Sequence, residues 1–233
     1  MNDSPRRLVV AAEATSRPSS GVDNWAPRGP FQQRDATLVS IGMTFSPDVV
    51  KAALPPNLKP IEGFRGGMMM TLARQGFMLA PFSSSYIWFD IQDHEGSSGP
   101  GRFICRSFGS HSADHGQLGL LACSLPLAIA ESAHQVIVTL GNPQAPKLRA
   151  LLRPANNWTP CAGVENCIFD GSPIHPALSI SVVPWAAEWS DAAPERVEFL
   201  APELADLTPL SLDWASIGKN AAMTLGLTRA IWG

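Results

Sequence analysis

Proline stands at 21 of the 233 positions and glycine at 19 more, spread along the whole chain. Each proline fixes φ and removes a backbone donor, so long helices cannot form through such text. Short apolar runs between turn signals remain. From Thr37 to Phe45 the residues alternate loosely, as a strand does. Ser46 and Pro47 then predict an N-cap and first turn, with Val49, Val50, Ala53 and Leu54 on the apolar side and Pro55-Pro56 as the stop. Residues 68–80 fit helix or strand. Ser85 to Ile91 and 102–108 predict a hairpin. Leu120 to His134 predicts a short helix interrupted at Pro126, followed by a strand over 135–140 and a turn with a short helix or strand over 141–152. Residues 165–183 predict a second hairpin, and 209–233 two more strands. The sum is an α+β fold, mainly antiparallel β.

Composition narrows the class further. Hydrophobic residues make up 45% and charged residues 16%, against about 25% charged in an average domain. Such a chain has the means to build a core, and its low charge predicts a homo-oligomer. A net charge of −3 argues against nucleic acid as the main partner, since phosphate binding needs clustered Lys and Arg. No apolar run approaches the roughly 18 residues of a membrane span. The start resembles a signal peptide only superficially, because the run from Leu8 to Ala12 is short and Glu13 ends it. The expectation is therefore a cytoplasmic protein with a flexible arm over residues 1–24 and one domain over 25–233.

Few constellations suggest chemistry. The four cysteines, Cys105, Cys123, Cys161 and Cys167, lack C-x-x-C spacing, so they read as buried or idle thiols and no cofactor is expected. His111, Asp114 and His115 would form a metal-ligand face on a helix, but their Ser- and Gly-flanked text reads as a polar loop, and no metal is expected. His94 sits in a turn, His175 has no distinguishing partner, and His134 follows Glu131 as a pocket base or an interface histidine. Trp185, Trp189 and Trp214 line a pocket or an interface, or simply fill the core. Gly-x-Ser-x-Gly and phosphate-cradling loops are absent. Amine chemistry has four candidates: Lys51, Lys59, Lys147 and Lys219.

One stretch is more specific. Pro27-Arg28-Gly29-Pro30-Phe31, Arg34 ahead of the first strand, a short helix, and the exit Leu54-Pro55-Pro56-Asn57-Leu58-Lys59-Pro60 resemble the opening of the acetoacetate decarboxylase family. Leu207-Thr208-Pro209-Leu210-Ser211-Leu212 and the alternating 223–232 are similar to that family's last two strands. The resemblance brackets residues 26 to 233. It implies a β-barrel or cone around a small-molecule pocket, with a lysine amine that condenses with a keto acid to form an imine.

The family's reactive Pro-Lys-Lys has no direct counterpart. One alignment puts Lys147 on the nucleophile, with Arg149 as a neighbouring cation. A second carries the catalytic position to around Leu140 and leaves Lys147 a surface residue. Arg34 is implied to orient a substrate carboxylate. The family's pocket glutamates fall on Ser84, after Phe82 and before Tyr86, and on Met70 or Thr71. Replacing carboxylates by these residues removes proton-handling groups. The favoured expectation is a divergent relative that binds or transforms a small, largely apolar carbonyl compound, contacting Met70, Thr71, Phe82, Ser84, Tyr86 and His134, without standard decarboxylation. A keto-acid lyase using an imine at Lys147, and a non-catalytic binding or assembly module, stand as alternatives.

Overall fold

The computed structural model describes residues 31–56, 58–77, 82–92, 101–109, 122–169, 179–225 and 229–230. The arm expected over 1–24, His94, the His111–Asp114–His115 group and His175 lie outside them.

The first strand, β1 (Phe31–Thr44), starts before the alternation at Thr37 does. Helix α1 (Pro47–Ala53) follows, as Ser46-Pro47 predicts. The Ser46 side chain makes no capping bond; its carbonyl accepts from Val50 N at 3.1 Å instead. The ambiguous glycine-methionine text forms a strand, β2 (Arg65–Phe77). β3 (Phe82–Ile91) and β4 (Gly101–Gly109) pair antiparallel, as expected of a hairpin.

The helix expected over Leu120 to His134 does not form. Among its described residues are two strands, β5 (Ala122–Ser124) and β6 (Leu127–Glu131). Pro126 separates them, and β6 pairs along its whole length with β7 (Val136–Asn142), from Leu127↔Leu140 to Glu131↔Val136. The Leu- and Ala-rich text favours a helix only weakly, and a cross-strand ladder that buries Leu127 outweighs that preference. β8 (Ala145–Pro154) continues the meander. β9 (Thr159–Phe169) and the long β10 (Ser179–Phe199) supply the second hairpin pairing. A 3-10 turn at Pro202–Leu207, β11 (Ser211–Leu225) and β12 (Arg229–Ala230) complete the described chain.

The main path of the sheet runs β11-β1-β2-β3-β4-β9-β10-β8-β7-β6. Pairing is antiparallel except for β4 with β5 and with β9. The sheet is not a closed barrel, for its path ends at β6. Yet β11 also bonds to β10 on the side away from β1, from Trp185↔Met223 to Ala192↔Ala215, so the sheet curls back on itself. One face packs Val39, Ile41, Met68, Met70, Ile87 and Phe89 against β6–β8, α1 and the 3-10 turn, through Leu127, Val138, Leu148, Val50 and Leu204. Burial of each such side chain contributes about 1.5–3 kcal/mol. The opposite face of β1–β3, wrapped by β10 and β11, carries different chemistry.

Candidate functional site

Strand side chains alternate between faces, so register turns the inner face of β1, β2 and β3 into rows. One row runs Gly218, Leu38, Thr71, Ser84, Gly109 from β11 across to β4. The next runs Ser216, Ser40, Met69, Tyr86, Ser107. A third runs Trp214, Gly42, Gly67, Trp88, Ile104. Trp189 of β10 lies over the first row: a Cβ on Gly218 would sit 3.2 Å from both the Trp189 ring and Leu38. Trp185 meets Trp189 edge to face, with centroids 5.7 Å apart.

The third row closes one end. A Cβ on Gly67 would lie 2.4 Å from the Ile41 carbonyl and 2.6 Å from the Trp88 ring, so only glycine fits there. The same holds at Gly42 beneath the Trp214 indole. Trp88 donates from Nε1 to Asp90 at 3.0 Å and stacks under the Arg102 guanidinium at 4.3 Å. Arg102, almost fully buried, reaches Asp90 at 3.6 Å. Two large rings and a buried cation are thereby held rigidly at this end.

Polar groups gather on this inner face. The hydroxyls of Ser40, Thr71 and Ser84 and the indole nitrogens of Trp185 and Trp189 are buried, with no hydrogen-bond partner among the described residues. Leaving one such group unsatisfied costs about 1–3 kcal/mol. Five on one inner face amount to a set of donors and acceptors suited to a polar guest or to water.

The expected site residues divide. Thr71 and Ser84 are direct cross-strand partners on the inner face. Tyr86 joins them one row on, against Trp88 at 6.2 Å between ring centroids. Phe82 opens β3 opposite Ala73. Met70 alternates to the other face and belongs to the main core. Arg34 is exposed at the end of β1 away from the tryptophan-closed end, opposite Gln75 and before Asp35, whose φ is 51°. His134 is exposed in the turn between β6 and β7, where its backbone N–H faces Ser132 Oγ at 3.4 Å.

Lys147 stands apart from these rows. Its neighbours Leu148, Ala150 and Leu152 bury alternately in the main core, while Lys147 is half-exposed and pairs through Nζ with Glu203 Oε1 on the 3-10 turn. The hydrogen bond from Lys147 holds the Glu203 carboxyl below its ordinary range. Ser40 was missed in the sequence, although its place between Leu38 and Gly42 in a strand puts it on their face. Trp189 as a cover for Leu38 carried no such signal, because only the β10–β11 pairing brings it there.

Comparison with known proteins places the architecture. The fold is that of acetoacetate decarboxylase and its structural relatives. Acetoacetate decarboxylase from Legionella pneumophila superposes with a TM-score of 0.71 at 16% identity, covering 97% of this chain and 98% of that one. The enduracididine biosynthesis enzyme MppR with bound HEPES gives 0.69 at 14% identity, over 99% and 98%. An acetoacetate decarboxylase-like enzyme from Sphingomonas wittichii RW1 gives 0.63 at 12%, over 87% and 93%. No protein-family model and no curated protein sequence matches the chain.

Proposed function

We propose that this protein binds a small, largely apolar carbonyl compound on the inner face of β1–β3, without an imine at Lys147. The observation that carries the reading is the set of buried hydroxyls and indole N–H groups of Ser40, Thr71, Ser84, Trp185 and Trp189. A carbonyl oxygen is an acceptor only, and the Thr71 and Ser84 hydroxyls would donate to it. Leu38, Met69 and Trp189 would enclose the apolar remainder. Where the family resemblance implies glutamates, these hydroxyls polarise a carbonyl but supply no carboxylate base. Arg34, at the end of β1 away from Trp88 and Trp214, would orient a carboxylate if the compound carries one. Lys147 fits imine chemistry poorly, because its Glu203 partner favours the ammonium, which has no lone pair to attack a carbonyl.

MppR has been crystallised with pyruvate, which makes pyruvate the first probe here, beside acetoacetate and a neutral ketone. Calorimetric titration should detect binding in the parent. The double variant Thr71→Val, Ser84→Ala should weaken it at least about tenfold, as expected for two lost hydrogen bonds to a buried acceptor. Lys147→Ala should leave affinity unchanged. A borohydride-trapped adduct on Lys147 would overturn the proposal in favour of the lyase reading. An undiminished affinity in the double variant would remove the inner face from the account.

A further inference from the structure

The third row of the inner face is built as a wall. Trp214 of β11 and Trp88 of β3 flank the paired glycines Gly42 and Gly67 of β1 and β2. A Cβ on Gly67 would lie 2.6 Å from the Trp88 ring, and one on Gly42 would strike the Trp214 indole. Both indoles therefore lie down over their neighbouring strands, where any larger residue would prop them up. Together they span the sheet from β11 to β3.

Trp88 is held in place. It is 1% exposed. Its Nε1 donates to Asp90 at 3.0 Å, and the Arg102 guanidinium lies 4.3 Å from its ring centroid. Turning the ring would break that bond and forfeit the cation–π contact. Because its one donor is engaged, Trp88 offers a guest hydrocarbon only. Trp185 and Trp189 differ, since their buried N–H groups find no acceptor among the described residues. The inner face is thus graded along its strands, from the hydroxyls of Thr71 and Ser84 in the first row to hydrocarbon in the third.

The rows also set a length. Ser84 and Trp88 are four residues apart on β3, about 13 Å at the usual rise of a strand. Contact with the ring takes up about 4 Å of that. The remaining ~9 Å admit about six carbon–carbon bonds of about 1.5 Å. Between the two rows Tyr86 occupies β3, its ring centroid 6.2 Å from that of Trp88. Ser40 is the small residue of β1 in the same row, so the least side-chain bulk between hydroxyls and wall is over β1.

We infer that the inner face selects a straight-chain aliphatic carbonyl compound by its length, with Trp88 as the stop. The carbonyl oxygen accepts from the Thr71 and Ser84 hydroxyls, and the chain runs toward Trp88. This rests on the proposed inner-face site and adds to it the shape of the ligand and a specificity-determining residue.

A series of methyl ketones from 2-butanone to 2-decanone tests it by calorimetric titration. Affinity in the parent should rise about fourfold per methylene, as burial of one such group gives, up to 2-octanone and fall at least about tenfold at 2-decanone. Trp88→Leu should remove that fall, and Trp88→Phe should lessen it, with circular dichroism showing the fold intact. A parent without a length limit, or a limit that Trp88→Phe and Trp88→Leu both keep, would overturn the inference and leave the inner-face site standing. Ketone binding that survives Thr71→Val, Ser84→Ala, or no ketone binding at all, would instead remove the site, and the length rule with it.

Discussion

Single side chains decide much of this molecule, and Cys105 shows how. Its thiol donates to the Ile87 carbonyl at 3.4 Å, and burial pushes its pKa from 9.0 up to about 12, outweighing the lowering effect of Arg106. Below pH 9 the thiol is neutral in both folded and unfolded chains and costs nothing. Between pH 9 and about 12 the unfolded chain gives up a proton that the folded chain keeps, so stability falls as pH rises. Urea unfolding across that window should show a decline that Cys105→Ala abolishes. The same slope in the variant would mean that another group carries it. Legibility at this scale was uneven. Thr71 and Ser84 were named through the family resemblance alone, since the text over 68–80 fits helix or strand and its alternation marks no face. The assignment of Met70 or Thr71 to one pocket position needed β2's facing, which puts only Thr71 inside. Lys219 and Asn220 bulge opposite Thr37, an irregularity that no local pattern announces.

Elements bring their own determinants, most clearly where β10 changes partners. Up to Ala192 it pairs with β11, and from Ala192 onward with β8. Asn157, just ahead of β9, pins that junction. Its Oδ1 accepts from the Asp191 backbone at 2.9 Å and from Ser190 Oγ at 3.1 Å, and its Nδ2 donates to Asp191 Oδ2 at 2.8 Å. Ser190 is fully buried. Asn157→Ala should therefore cost about 1–3 kcal/mol in denaturant unfolding, more than a typical exposed substitution. A loss under about 0.5 kcal/mol would show that the strand backbone alone holds the switch. Many strands and helix α1 were largely readable, since β-branched runs and the Ser46-Pro47 start act locally. The stretch from Leu120 to His134 was misread for the opposite reason. Its Ala and Leu content is helical in isolation, and its strands exist only through pairing with β4 and β7.

On the scale of the whole molecule, the scarcity of charge has a partial structural source. Over residues 36–43, 66–71 and 83–89 strands β1 to β3 bury both faces, and no charged residue falls in those stretches. Leu200 and Leu210 nevertheless remain exposed, Leu210 at 68%. We propose that these two leucines contribute to contact between copies of the chain. Sedimentation at micromolar concentration should then report a mass above 24.9 kDa, and a lone 24.9 kDa species would dismiss the idea.

The two-sided character of β1 has one more consequence. Thr37 borders an open cleft toward β6 and Leu38 the inner face, as neighbours in the chain with opposite duties. Deleting any one residue between them and Thr44 would swap the destinations of every side chain on one side of the lesion. Serine would be driven into hydrocarbon and isoleucine among hydroxyls. Outside Gly42, this segment tolerates an exchange of side chains far better than a change of length.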